Sequence, residues 1–287
     1  MKIKIIYAIL LLGLFSNCSF QKLTLHFIQP VLENSLEALF EEEDLQLAQS
    51  AIEAELKILD GLLKGDPQNR RLLIYATQGY TSYALGFVED ENPERARKLY
   101  LRARNLGLRI LHKQSAFKNS SNQSVDHFIS ALSAFQKVEV PALFWTANAW
   151  GNWINLSLTD PDALADLPKV QAMMERVIEL DEGYFFGGAH LFLGTILITK
   201  PVIMGGNPEK SKQHFEKCLT FCEDKFLLPY VFYARYYAVR TLDESLFDQL
   251  LQKVLQTSLD ILPEQRLPNA IARKKAQMLM QQKEELF

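Results

Sequence analysis

Asn92-Pro93-Glu94-Arg95-Ala96-Arg97-Lys98-Leu99-Tyr100-Leu101-Arg102-Ala103 returns, matched in kind, 115 residues later as Asn207-Pro208-Glu209-Lys210-Ser211-Lys212-Gln213-His214-Phe215-Glu216-Lys217-Cys218. Asn followed by Pro is a helix start, because the amide side chain caps the free N–H groups and proline fits the first turn. A small, an aromatic and a small residue then follow at steps of four and three, which places them on one face of the helix. These are Ala96, Tyr100 and Ala103 in one copy and Ser211, Phe215 and Cys218 in the other. Carried upstream, the same shift lays Gly79 on Gly194 and Asp66 on Asp181. Each copy, about 66–103 and 181–218, therefore reads as a helical hairpin whose mid-helix glycine lets the two helices approach.

The small, aromatic, small series resembles the tetratricopeptide repeat. It departs from that repeat in one measure. Seventeen residues separate each glycine from the first small residue, about five more than a repeat of roughly thirty-four residues allows. Each hairpin is thus expected to carry an enlarged connection, Phe87–Asn92 in one copy and Lys200–Asn207 in the other. Loops inserted at the same place in two repeats project from the same end, which is often the working surface. The second, Lys200-Pro201-Val202-Ile203-Met204-Gly205-Gly206-Asn207, carries adjacent glycines that permit positive φ or close approach by a ligand or another chain. A tight turn packed on its own hairpin is the open alternative. No Gly-Lys-Ser/Thr follows, so this is not a phosphate-binding loop.

Elsewhere the chain is helix after helix. From Asp44, the apolar positions Leu45, Ala48, Ile52, Leu56, Leu59 and Leu63 recur at helical steps up to Gly65-Asp66-Pro67, a stop signal. The same reasoning predicts helices near 69–89, 93–113, 124–138, 141–158, 168–180, 184–198, 208–223, 228–240, 243–260 and 267–284, with a Ser/Asn-rich loop over Lys118–Ser124. No strand pattern intervenes. The expected fold is all-α, helical hairpins of tetratricopeptide-like type around a central buried helix. With 48% hydrophobic and 23% charged residues, the 287-residue chain is globular in composition. A formal charge of −3 supplies no broad basic field, which argues against nucleic acid as a partner.

The N-terminus reads as an export signal over 1–17. Lys2 and Lys4 open it, and an apolar run from Ile5 to Phe15 follows, too short to span a bilayer as a helix. Cys18 sits where a bacterial lipid anchor is attached, although Phe15 and Asn17 replace the usual leucine and small residue. Ordinary cleavage near Ser16–Phe20 is the alternative. Removing 1–17 takes away Lys2 and Lys4 and no acidic residue, moving the charge from −3 to −5. Residues 18–30 then form a tether and 31–287 one helical domain, with no membrane contact beyond the anchor.

Between the repeats, Val140–Thr159 contains no charged residue. Asn148, Asn152, Asn155 and Gly151 suit hydrocarbon poorly, and Trp145, Trp150 and Trp153 lie in mid-segment, so the stretch reads as the buried centre of a bundle and not a membrane span. Asn148, Asn152 and Asn155 form a polar stripe that either bonds to neighbouring helices or lines a wetted cavity. Trp145 shares that face, the mixture of aromatic wall and few polar groups that ligand pockets favour. His190, beside Gly187-Gly188-Ala189, is either a satisfied core histidine or a pocket residue. Cys218 and Cys222, one turn apart, read as small core residues. Catalytic signatures are missing: the five histidines are scattered, and no Gly-x-Ser-x-Gly, Gly-x-Gly-x-x-Gly, Cys-x-x-Cys or His-Glu-x-x-His occurs. No catalytic residue, metal site or cofactor is expected, and the chain reads as a binding protein, not an enzyme.

Leu143-Phe144-Trp145-Thr146-Ala147-Asn148-Ala149-Trp150-Gly151, the stretch from Tyr184 to Leu219 with Gly187-Gly188-Ala189-His190, Leu193-Gly194, Pro201 and Gly205-Gly206, and the closing Leu267-Pro268-Asn269-Ala270-Ile271-Ala272-Arg273-Lys274-Lys275-Ala276 come in an ordered series. That series resembles the T-component family of tripartite ATP-independent periplasmic (TRAP) transporters, from roughly residue 35 to the end. The resemblance implies a periplasmic lipoprotein that forms trimers, docks the substrate-binding protein of a TRAP transporter and offers an apolar cleft to a hydrophobic small molecule. On these positions Trp145, Asn148 and Asn152, with His190, Lys200 and Met204, are expected to line or rim the ligand path. Asn269 and Arg273 are expected either to pair with the asparagine stripe or to make structural hydrogen bonds. A helical-repeat scaffold that binds no small molecule remains the alternative. A cavity reaching the surface near Trp145 and His190, as against a filled core, separates the two.

Overall fold

The structure, a computed structural model, describes residues 30–118, 120 and 123–287. The expected signal segment 1–17, Cys18 and all of the expected tether but Pro30 lie outside the described residues, as does the Met204 side chain. Over the described residues the fold is all-α. Helix α1 covers 30–40. Helix α2 (Leu45–Gly65) begins where the Asp44 carboxylate accepts from the Gln46 and Leu47 amides at 2.9 and 3.1 Å, and its buried face is the periodic series from Ala48 to Leu63. Helix α3 (Arg70–Tyr83) runs into a π-helical turn, Ala84–Val88, and α4 (Pro93–Leu111) follows from an Asn92 cap on the Arg95 amide at 3.0 Å. Then come α5 (Val125–Leu132), α6 (Val140–Asn155), α7 (Pro161–Ala165) and α8 (Leu167–Asp181). The second hairpin pairs α9 (Tyr184–Thr199) with α10 (Pro208–Cys222), capped by Asn207 on the Lys210 amide at 2.9 Å. Helix α11 (Leu228–Phe232) continues through a second π-helical turn, Tyr233–Ala238, into α12 (Val239–Thr241), and α13 (Glu244–Gln256), α14 (Arg266–Gln281) and α15 (Lys283–Leu286) complete the chain.

Several expected boundaries move, each for a local reason. The expected loop Phe87–Asn92 is shorter, because Phe87 and Val88 are buried inside the first π-helical turn, which absorbs part of the excess length. The expected helix 124–138 ends at Leu132, and a 3-10 turn, Lys137–Glu139, leads into α6. The expected 141–158 stops at Asn155, after which Asp160 caps the short α7 that periodicity does not reveal. The expected 243–260 ends at Gln256, because Thr257 turns extended. Lys200–Asn207 is a tight turn on its own hairpin. Gly205 takes φ +92°, the Gly206 amide donates to the Pro201 carbonyl at 3.0 Å, and a Cβ on Gly206 would lie 2.0 Å from the Lys200 carbonyl oxygen. Its apolar side chains nonetheless point outward: Ile203 is 96% exposed and Val202 74%.

Helix α6 is the hub, packing against α3, α4, α8 and α9. Its approach to α4 depends on Gly107, where a Cβ would meet Thr146 Oγ1 at 2.1 Å. Trp150 and Trp153 face away from the second hairpin, with the Arg104 guanidinium over their rings at 5.3 and 4.8 Å. The buried apolar residues fall into three clusters: a large one built on α2, α3, α4, α6 and α8, a second joining α9 to α14, and a small one of Cys218, Cys222 and Phe226. These clusters border one another around an open space.

Candidate functional site: an uncharged cavity between three cores

A cavity of about 190 Å³ occupies the junction of the clusters. That exceeds the roughly 150 Å³ apolar cavity known to hold benzene. Five stretches form most of its wall, and Phe40 of α1, Ile52 of α2 and Ser82 of α3 add to it. Helix α6 presents Phe144, Trp145, Asn148 and Asn152; the π-helical turn after α3 presents Leu85, Gly86 and Phe87; α9 presents Phe185, Phe192 and Thr195; Phe232 and Tyr236 come from α11 and its π-helical turn; Leu267, Pro268 and Ile271 come from α14. No charged side chain is among the lining residues. Asn155, Leu158 and Thr199 line it and are exposed, so the opening lies at the C-terminal ends of α6 and α9.

Both π-helical turns therefore face the cavity. A π-helical turn widens the helix by a residue and re-aims the side chains beside it, and such turns are frequent at functional sites. The α9 wall is shaped by strain: Phe185, Phe186 and Gly187 have φ of +47°, +56° and +69°, a left-handed turn that costs an ordinary L-residue roughly 1–2 kcal/mol. Packing holds it. The Cys218 thiol donates toward the Phe186 carbonyl at 3.4 Å, the Cys222 sulfur, bonded to the Cys218 carbonyl at 3.3 Å, packs 3.8 Å from the same oxygen, and a Cβ on Gly187 would meet Phe221 at 2.6 Å. The turn delivers Phe185 against Trp145 with ring centroids 4.9 Å apart.

Three of the expected residues, Trp145, Asn148 and Asn152, line the cavity. The stripe is self-paired: Asn152 Nδ2 donates to Asn148 Oδ1 at 2.9 Å and to its carbonyl at 3.0 Å. The other expected residues lie elsewhere. His190 is buried away from the cavity, its Nδ1 2.8 Å from His214 Nδ1 and its Nε2 3.3 Å from Glu182; burial lowers the pKa of both imidazoles, that of His214 to about 4. Lys200 Nζ reaches Gln171 at 3.1 Å. Met204 contributes backbone to a 3-10 turn. Asn269 is fully buried but does not meet the stripe: it accepts from the Leu227 amide at 2.8 Å and donates to the Lys225 carbonyl at 2.9 Å, clamping the α10–α11 link to α14. Arg273 bonds the Thr257 carbonyl at 2.6 Å. The structural alternative holds for both, because α14 turns their side chains toward the α10–α11 link and the end of α13, not toward α6.

Sequence reasoning missed Leu85, Gly86, Phe185 and Tyr236, and took Phe87 as the first residue of a connection. No 3.6-residue periodicity marks a π-helical or left-handed turn; the available hint was the uncharged run Ala84–Val88 at a helix end. Behind Tyr236 lies a second missed feature, a partly buried ionic cluster. Tyr100 donates to Glu89, Lys275 pairs with Asp90, and Arg235 Nη1 meets Asp90 at 3.0 Å. Burial raises the Glu89 pKa, whereas Asp90, also pushed up by burial, is held below its ordinary value by Lys275 and Arg235. The Tyr236 ring stands 5.8 Å from the Arg235 guanidinium, and burial raises its hydroxyl to about 12.

Fold and cavity together define an all-helical, cavity-bearing protein. The chain belongs to the TRAP transporter T-component family, whose model matches residues 41–287. Membership associates it with a TRAP transporter. It is also similar to an uncharacterized protein of Treponema pallidum (strain Nichols), 24% identical over 305 residues that cover 95% of this chain and 94% of that protein.

Proposed function

We propose that this protein is a periplasmic accessory of a TRAP transporter that holds a small hydrophobic molecule in the cavity and docks the transporter's substrate-binding protein. The observation that carries the ligand half is the cavity itself. Close-packed interiors rarely leave such space, and here aromatic walls, a paired asparagine stripe and an opening at Asn155 and Leu158 meet around it, the composition of a binding pocket. A scaffold of helical repeats has no use for that void. Docking rests on the family and on the apolar Val202–Ile203 tip beside the opening, trimer formation and the periplasmic setting on the family resemblance, and the lipid anchor on Cys18.

Native mass spectrometry of the full chain tests the reading. A non-covalent adduct that denaturation releases, lost when Ser82→Phe fills the cavity, supports ligand binding; a complex with the cognate binding protein supports docking. A ligand-free monomer indifferent to that protein would overturn both. The denatured mass also reads Cys18, since acylation adds a diacylglyceryl increment and ordinary cleavage does not.

A further inference from the structure

We infer that the cavity selects uncharged amphiphiles, an apolar body with a neutral hydroxyl- or amide-type head, and discriminates against carboxylates and ammonium ions of the same length. The inference rests on the ligand-binding reading above and names the class of molecule that fits.

Two observations carry it. First, every lining residue is uncharged, from the mouth at Asn155 and Thr199 to the far wall at Tyr236. An ion moved into such a space loses hydration with no countercharge to replace it. Second, the charges around the Tyr236 end are already closed on one another. Arg235 and Lys275 both sit on Asp90, and Glu89 takes the Tyr100 hydroxyl. A carboxylate at the Tyr236 end would find both nearby cations engaged and two carboxyl groups beside them. An ammonium would face the Arg235 guanidinium, 5.8 Å from the Tyr236 ring, and carboxyl groups whose hydrogen bonds are already made. Either sign of charge meets repulsion and no free partner.

Neutral polar groups are treated differently. With Asn148 Oδ1 taken up by Asn152, the stripe offers the Asn148 side-chain N–H groups as donors and Asn152 Oδ1 as an acceptor. Among the described residues, no hydrogen bond engages the Ser82 or Tyr236 hydroxyl, and each can donate or accept. A group that both donates and accepts, such as an alcohol or primary amide, matches that set.

The test is isothermal titration of the full chain with 1-octanol, octanoate and octylammonium at pH 7.5, repeated at pH 5. The expected result is octanol binding about tenfold or more tighter than either ion, with octanoate gaining affinity at pH 5 as it protonates and octanol unchanged. Octanoate or octylammonium binding as well as octanol would overturn the selectivity and leave the ligand-binding reading standing. Binding by none of the three would overturn the ligand-binding reading and this inference with it.

Discussion

The two hairpins share their inner faces and differ in their connections. Ala96, Tyr100 and Ala103 are buried, as are Ser211, Phe215 and Cys218, so the repeat supplies the same packing surface twice. In the first copy the turn carries Glu89, which accepts from the Tyr100 hydroxyl, and Asp90, tied by Lys275 and Arg235 to distant helices; the matching positions in the second, Met204 and Gly205, are uncharged. In the second copy the burden falls on the backbone. Phe185 and Phe186 within that copy have positive φ, the first copy has no described non-glycine residue that does, and the other three described ones, Glu223, Asp224 and Leu242, follow the second copy. One copy is fastened by charge and the other by conformational strain, and the cavity lies between the ends so fastened.

The largest test removes the first fastening. Lys275→Met leaves Asp90 partly buried with one cation fewer and should lower unfolding free energy by about 3 kcal/mol in urea titration; a loss under about 1 would mean that the cluster holds nothing. The glycines give the next. A Cβ on Gly194 meets Phe215 at 3.1 Å and the Ser211 carbonyl at 3.2 Å, whereas one on Gly79 meets only a flexible Leu56 methyl at 3.0 Å. Gly194→Ala should therefore cost about 1–3 kcal/mol, and Gly79→Ala should be near neutral, because a helical alanine recovers up to about 1 kcal/mol. Equal effects would erase the distinction between the copies.

Acid should act on the second copy. His190 and His214 share a single hydrogen-bond position, with Glu182 and Lys217 around His190 and Lys210 near His214. Since the folded His214 pKa is lowered from 6.5 to about 4, the unfolded chain binds a proton in that window that the folded chain refuses. Stability is thus complete above about pH 6.5 and declines as pH falls toward 4, by about 1–2 kcal/mol after allowing for the partial exposure of His214. His214→Gln should flatten the decline in unfolding curves taken across that range. The smallest effect is at Leu242, 71% exposed with φ +54°: Leu242→Gly should raise thermal stability by about 0.5–1 kcal/mol.

What the amino-acid pattern disclosed was whatever repeats at helical spacing. The caps Asn92 and Asn207, the buried repeat face and the uncharged α6 with Trp145, Asn148 and Asn152 are local, and each carries its own chemistry. The rest of the cavity is non-local. Phe185 reaches it through a left-handed turn held by the α10 thiols, and Pro268 and Ile271 reach it from a helix more than a hundred residues beyond α6. His190 and Asn269 look like site residues because they are polar amid apolar neighbours; their partners, His214, Leu227 and Lys225, come from elements that spacing does not connect.

The π-helical turn at Ala84–Val88 also has a genetic reading. Such a turn holds one residue more than a regular helix of the same rise requires, and each residue of an α-helix accounts for about 100° of rotation. Loss of a single codon there would regularise α3 while leaving the caps at Asn69 and Asn92 intact, and would swing Leu85, Gly86 and Phe87 to a different bearing. Loss of one codon at Ala84 or Val88 is thus a small heritable edit that reshapes the chamber while keeping Leu85, Gly86 and Phe87 in the chain.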